Sequence, residues 1–262
     1  LWGLLLAATS TVAELPWGSV YLGLSLHCLC ALVIYRAAAP DRALGCLAGS
    51  VYLGSHFLTY EAMNGQETAV ACLALAGFLI GYRRSLLAFF VLAVLVVAAR
   101  SDLIFLVAAL ALSQAGLRRG RVLATVGVLG CYAAWNLVLA GHWLQDSANP
   151  IPWLMGEEFR FTGTSMFERW QPHLMSMLQF IPFRNASTPL AIALVLAAVS
   201  GLRRREWEFP CLLLGGLTLV GFHDLWREYP RDYYFAPLGV LGAFGLLQVA
   251  RSYPRLGFLL VC

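Results

Sequence analysis

Four groups of side chains in this sequence have the types and spacing to do chemistry. Arg100-Ser101-Asp102 sets a guanidinium two residues from a carboxylate, with apolar sequence on both sides. Glu61-Ala-Met-Asn-Gly-Gln-Glu67 brings two carboxylates and two amides into one short corner. His142 with Asp146, and His223 beside Asp224, pair an imidazole with a carboxylate. The densest group is residues 222–237, where His223, Asp224, Arg227, Glu228, Arg231 and Asp232 sit among Trp226, Tyr229, Tyr233 and Tyr234. Guanidinium forks suit phosphate or carboxylate oxygens, and a positioned carboxylate can take a proton from a hydroxyl. Either imidazole–carboxylate pair could hold a divalent cation, although neither has a recognised metal-ligand spacing, so a divalent metal stays open as a cofactor without being required.

These groups need elements to hold them, and the composition says which. The chain has 262 residues, 60% hydrophobic and 12% charged, against roughly 25% charged in an average globular domain. Apolar blocks recur along the whole length between short polar turns, which predicts an all-α polytopic membrane protein with about eight full transmembrane spans plus truncated ends. Apolar segments are expected from Pro16 to Tyr35, over 43–60, from Thr68 to Arg83, then over 85–117, to about Ala140, over 188–202, over 209–222 and up to about Ala250. The stretch 85–117 is too long for one crossing and is split at Arg100-Ser101-Asp102 into halves of about 22 Å each. A turn between such short halves lies below the membrane surface, where charges are tolerated only inside protein or beside water. A recessed cavity is the expectation; a mutual Arg100–Asp102 ion pair stapling the turn is the bland alternative.

Charge placement orients the segments. Every basic residue is Arg, and 12 of the 18 (36, 42, 83, 84, 118, 119, 121, 203, 204, 205, 251 and 255) fall in alternate turns. The other turns hold 11 of the 14 acids. By the positive-inside rule the arginine-rich turns face the cytoplasm and the four chemistry-bearing groups face outward. Ordinary solvated loops with an interfacial aromatic belt are the competing reading of those groups. Residues 1–262 read as one transmembrane domain, with 141–187 a long outer loop. There, Phe167, Trp170, Leu174, Met177, Leu178 and Ile181 space out a candidate interfacial helix that Pro172 weakens. His27 reads as a hydrogen-bonded core histidine, and His56 as a group near the outer end. The seven cysteines lack metal or redox spacing and read as small core hydrophobes. No phosphate-cradling glycine loop or Asp-x-Asp occurs, so neither a nucleotide site nor a nucleic-acid partner is expected.

Asn64-Gly65-Gln66-Glu67-Thr68-Ala69 opening an apolar segment, then Arg100-Ser101-Asp102 between two short ones, resembles bacterial GT-C type membrane glycosyltransferases. The likeness is to the arabinofuranosyltransferase-like and dolichyl-phosphate-mannose mannosyltransferase-like groups. His223-Asp224 through Arg231-Asp232-Tyr233-Tyr234 to Pro237 is similar to their late outer loop. The resemblance implies transfer of a sugar from a polyprenyl-phosphate donor to a glycan or lipid acceptor hydroxyl, on the outer face of a bacterial inner or plasma membrane. It implies that Arg100, Arg227 and Arg231 meet the lipid phosphate. Glu67, Asp102 and Asp232 would position those arginines or hold sugar hydroxyls, with His223 and Asp224 beside them and Tyr233 or Trp226 stacking on the ring. His142 and Asp146 are further candidates. Leu1-Trp2 resembles the end of the family's first outer loop, so the general base is expected upstream of Leu1 and the chain as given is expected to be an inactive fragment. An O-antigen ligase or polymerase type of enzyme, and a non-enzymatic lipid or solute carrier, are the rival expectations.

Overall fold

The structure is a computed structural model that describes residues 2–11, 14, 17–64, 67–113, 118–141, 188–226 and 235–253. Helices account for nearly all of them, and no strand occurs among the described residues. The helices are α1 (Trp2–Thr9), α2 (Trp17–Ala37), α3 (Arg42–Gly54), α4 (His56–Met63), α5 (Thr68–Gly81), α6 (Leu86–Ala99), α7 (Ile104–Ser113), α8 (Arg118–Ala140), α9 (Thr188–Arg204), α10 (Glu208–Trp226) and α11 (Ala236–Ser252).

Helix ends fall where the side chains can satisfy them. Asp41 Oδ1 accepts from the Leu44 amide at 2.9 Å to start α3, and Ser85 Oγ accepts from the Ala88 amide at 3.0 Å to start α6. Gly141, at φ 74°, closes α8 in the left-handed conformation that glycine adopts without strain. One expected segment is broken. Residues 43–60 form two helices, because Ser55 is extended (φ −70°, ψ 105°) and its hydroxyl caps the start of α4.

Among the described residues, two helices, α2 and α8, are long and apolar enough to cross a membrane, or three if α4 and α5 count as one span bent by 119°. The remaining apolar segments are helical at their expected places but short of a full crossing: α6 has 14 residues and α7 has 10. Breaks at Ser55 and Arg100 are what shorten α3, α4, α6 and α7. The expected interfacial helix at 167–181 lies outside the described residues.

The helices pack through one continuous apolar core. Its centre includes Ile34, Leu75, Phe78, Phe89, Leu103, Leu106, Leu110 and Leu241, each fully buried. α9 lies along α11, α2 contacts α3 and α5, α6 contacts α5 and α8, and α7 contacts α10. The outward faces are apolar as well: Leu123, Val138 and Leu139 of α8 are 71%, 82% and 66% exposed, which is costly in water and suits contact with lipid.

One end of the bundle is tied by arginines. Arg83 bonds Glu208 and donates to the Tyr82 hydroxyl at 3.1 Å; Arg204 donates to Ser252 Oγ at 2.8 Å; Arg251 donates to the Ala37 carbonyl at 2.9 Å. Arg121 is buried, lies over the Tyr82 and Phe89 rings, and donates to the Tyr82 carbonyl at 3.2 Å. These contacts gather the ends of α2, α5, α9 and α11 with the starts of α8 and α10, so the alternating turns do collect on one side.

Close backbone approach sets the position of α4. A Cβ added at Gly23 of α2 would stand 1.9 Å from the Ala62 carbonyl oxygen, so only glycine lets α4 sit there. At Gly77 of α5, nothing lies within 4 Å. Gly77→Ala should therefore be neutral or stabilising by up to about 1 kcal/mol, while Gly23→Ala should destabilise by about 1–3 kcal/mol despite the same gain in helix propensity. Thermal unfolding of both variants in detergent checks this; equal midpoints would contradict the packing.

Candidate functional site

The chain between α6 and α7 is where a charged pair goes inside. Arg100 ends α6 in an extended conformation (φ −157°, ψ 115°), and Ser101–Leu103 form a single 3₁₀ turn that feeds α7. The turn points the two side chains at each other. Arg100 Nε donates to Asp102 Oδ1 at 2.8 Å and Nη2 donates to Oδ2 at 2.6 Å, a bidentate fork. Both side chains are removed from solvent, 5% and 9% exposed. Burial works against the Arg100 charge, and the charge and hydrogen bonds of Asp102, with smaller help from Glu67, offset it. The ion-pair staple anticipated for this turn is present, and the expectation that its charges are kept from bulk water agrees with the burial.

A second set of polar groups comes to the same place from α4 and α5. Glu61 is 3% exposed on α4, and Asn64 Nδ2 donates to its Oε2 at 2.6 Å. Glu67 is half-buried at the start of α5. Cys72, one turn further along α5, lies within electrostatic reach of both Arg100 and Glu61. It also shares hydrogen bonding with the Tyr52 hydroxyl, which Cys30 joins from α2. Tyr52 in turn packs on His27, with ring centroids 4.7 Å apart, and His27 Nε2 is 3.4 Å from Thr59 Oγ1. A seam of buried polar groups thus runs from the Arg100 turn through α5 and α3 to α2. His27 is the hydrogen-bonded core histidine that was expected, whereas His56 is exposed on α4 beside Tyr60.

The residues on either side of the 227–234 stretch stand at this same end. The Phe222 ring meets Phe105, three residues beyond Asp102, at 5.2 Å. Phe235 is buried, and Gly239 at the start of α11 abuts Leu58 of α4. His223 and Asp224 belong to the last turn of α10. Arg227, Arg231, Asp232 and Tyr233, together with His142 and Asp146, lie outside the described residues. Of the sequence-predicted residues, the structure therefore brings together Arg100, Asp102 and Glu67.

Two members of the site have no individual role assigned from sequence. Glu61 reads there as one end of a polar corner; its burial follows from the apolar run around it and from the Gly23 contact that draws α4 inward. Thr68 is 2% exposed and its hydroxyl has no hydrogen-bond partner among the described residues. With these two counted, the described polar groups at this end are one guanidinium, three carboxylates, an amide and a hydroxyl. Such a set can orient a polar ligand by many hydrogen bonds. Among the described residues, no three His, Cys, Asp or Glu side chains are grouped to hold a metal ion.

Removing one partner from a buried pair leaves the other charge uncompensated. Asp102→Asn should cost about 3–5 kcal/mol of stability, and Arg100→Met combined with Asp102→Leu should recover most of that loss. Chemical denaturation in detergent measures both. An Asp102→Asn protein as stable as wild type would place the pair in water.

No family model, curated protein or solved structure matches this chain, so the function of the site has to be argued from its own residues.

Proposed function

We propose that this chain is the membrane-embedded part of a glycosyltransferase that moves a sugar from a polyprenyl-phosphate donor to a glycan or lipid hydroxyl at the outer face of a bacterial plasma membrane. On this reading the alternating apolar segments cross the bilayer, the shorter ones around recessed turns, and the arginine-tied end faces the cytoplasm. The observation that carries the proposal is the enclosed Arg100–Asp102 pair, with Glu67 in electrostatic reach of Arg100, at the end of the bundle where the sequence on both sides of 227–234 emerges.

The chemistry asked of such a site is limited. The donor's anomeric carbon exchanges its bond to the lipid phosphate oxygen for one to the acceptor oxygen, and the acceptor's proton passes to a carboxylate base. The departing phosphate keeps the electron pair and needs fixed positive charge in a water-poor setting, which the arginines of the 222–237 stretch supply. Arg100, locked in plane by Asp102, is a rigid part of the wall that the reacting groups meet. The bound lipid lies against the apolar outer faces of the helices, as membrane lipid does around the rest of the bundle.

The test is transfer itself. Full-length protein in proteoliposomes should pass radiolabelled sugar from a polyprenyl-phosphate donor to an acceptor glycan. Arg100→Ala and Arg231→Ala should each lower kcat by at least ~100-fold, about 2.7 kcal/mol of transition-state stabilisation. Both variants should still insert, as read by cysteine labelling from the two sides of the membrane. Wild-type rates from Arg100→Ala would remove this site from the reaction.

A further inference from the structure

Arginine at the start of a helix opposes the helix dipole, and α8 begins with three. Arg118, Arg119 and Arg121 fall in its first four residues, and no acid stands in that turn. The free amides there already carry partial positive charge, so a cation is unfavourable and an anion is welcome. The preference for arginine in the turns at one face of a membrane accounts for Arg118 and Arg119, which are exposed. It does not account for Arg121, which is 2% exposed.

Arg121 supplies an independent observation. Its guanidinium lies over the Tyr82 and Phe89 rings, and Nη2 donates to the Tyr82 carbonyl at 3.2 Å. Nη1 is enclosed and has no hydrogen-bond partner among the described residues. Glu208 is within electrostatic reach of Arg121, but its carboxylate bonds Arg83. A buried donor is ordinarily satisfied by protein, water or ligand, and a charged one all the more. An acceptor is therefore called for between the first turn of α8 and the turn at 82–85 that joins α5 to α6.

The surroundings say what carries that acceptor. A Cβ added at Gly120 would stand 3.4 Å from Leu86, so the residues just before each, Arg119 and Arg84, meet at one place, and both are exposed. Immediately along the helices from them, Leu86 and Leu87 of α6 and Leu123 of α8 are exposed and apolar. Trp207, exposed beside Glu208, is a residue type that settles at headgroup depth. A free phosphate would use only the arginines, whereas a phospholipid uses the apolar wall as well. We propose that the start of α8 and the α5–α6 turn hold the phosphate of an anionic phospholipid. Arg84 and Arg119 grip its oxygens at the surface, and Arg121 Nη1 completes the site from behind through one bridging water. The acyl chains lie on Leu86, Leu87 and Leu123. This requires the bundle to sit in a bilayer and is independent of whether the protein transfers sugar.

The experiment titrates full-length protein in detergent with dioleoyl phosphatidylglycerol, dioleoyl phosphatidylcholine or glycerol 3-phosphate, and reads binding by native mass spectrometry and thermal shift. Phosphatidylglycerol should bind wild type at least ~10-fold tighter than phosphatidylcholine; equal affinities would overturn the proposal. Glycerol 3-phosphate should fail to displace the bound lipid at comparable concentration, and displacement would assign the site to a soluble phosphate and overturn the lipid. Arg121→Gln should weaken phosphatidylglycerol ~10-fold, and so should the pair Arg84→Gln with Arg119→Gln, the loss expected for a hydrogen bond to a charged partner. The second variant alters exposed side chains and should keep the wild-type unfolding midpoint, so the test holds even where Arg121→Gln fails to fold. Arg36→Gln with Arg42→Gln, exposed at the α2–α3 turn of the same end, should change binding by no more than ~2-fold. Equal loss from that pair would mean diffuse attraction to any basic surface and would overturn the site.

Discussion

A charge buried in an apolar bundle must be met by another charge, and the fold around Arg100 is arranged to meet it. Taking a guanidinium and a carboxylate out of water costs several kcal/mol each, offset only by good geometry. The fork between Arg100 and Asp102 has that geometry, and it is available only because the chain leaves helix at Arg100 and turns once before α7. The break between α6 and α7 and the ion pair are therefore one feature. A continuous helix would place residues 100 and 102 about 200° apart around its axis, too far round for the fork to close.

The two ends of the bundle use polar groups differently. At the arginine-tied end, guanidiniums donate to backbone carbonyls, to a serine and to Glu208, and so join the ends of helices that would otherwise leave carbonyls unmet. These contacts hold the helix ends together and explain why the arginines are there. At the other end the polar groups face one another, and the seam through Cys72, Tyr52 and His27 extends them into the core. The close contact between Gly23 and Ala62 brings Glu61 into this set, so a packing choice on α2 decides the electrostatics of the site.

Much of this organisation is legible in the sequence, for identifiable reasons. Residues 85–117 exceed one bilayer crossing, which forces a break, and Arg100-Ser101-Asp102 is the polar place to put it. Alternation of arginine-rich and acid-rich turns anticipates which turns share an end, and the contacts of Arg83, Arg204 and Arg251 agree. The break at Ser55 was less visible, because 43–60 is apolar throughout and a serine cap gives no hydropathy signal. Outside 85–117, helix lengths short of a full crossing were hidden for the same reason: composition sees apolar residues, not where the backbone bends. The burial of Glu61, and equally of Arg121 at the other end, depends on which neighbours pack against them, and spacing along one chain does not encode that.

The account stands on the Glu61–Glu67 corner and the Arg100 turn being one electrostatic unit. A double-mutant cycle between Glu67→Gln and Arg100→Met, read by equilibrium unfolding, measures that coupling directly. Groups sharing one enclosed site should depart from additivity by at least about 0.5 kcal/mol, whereas groups more than about 7–10 Å apart with no shared partner add within about 0.3–0.5 kcal/mol. A clear departure is predicted; strict additivity would mean that the two corners do not sense each other, and the site would come apart.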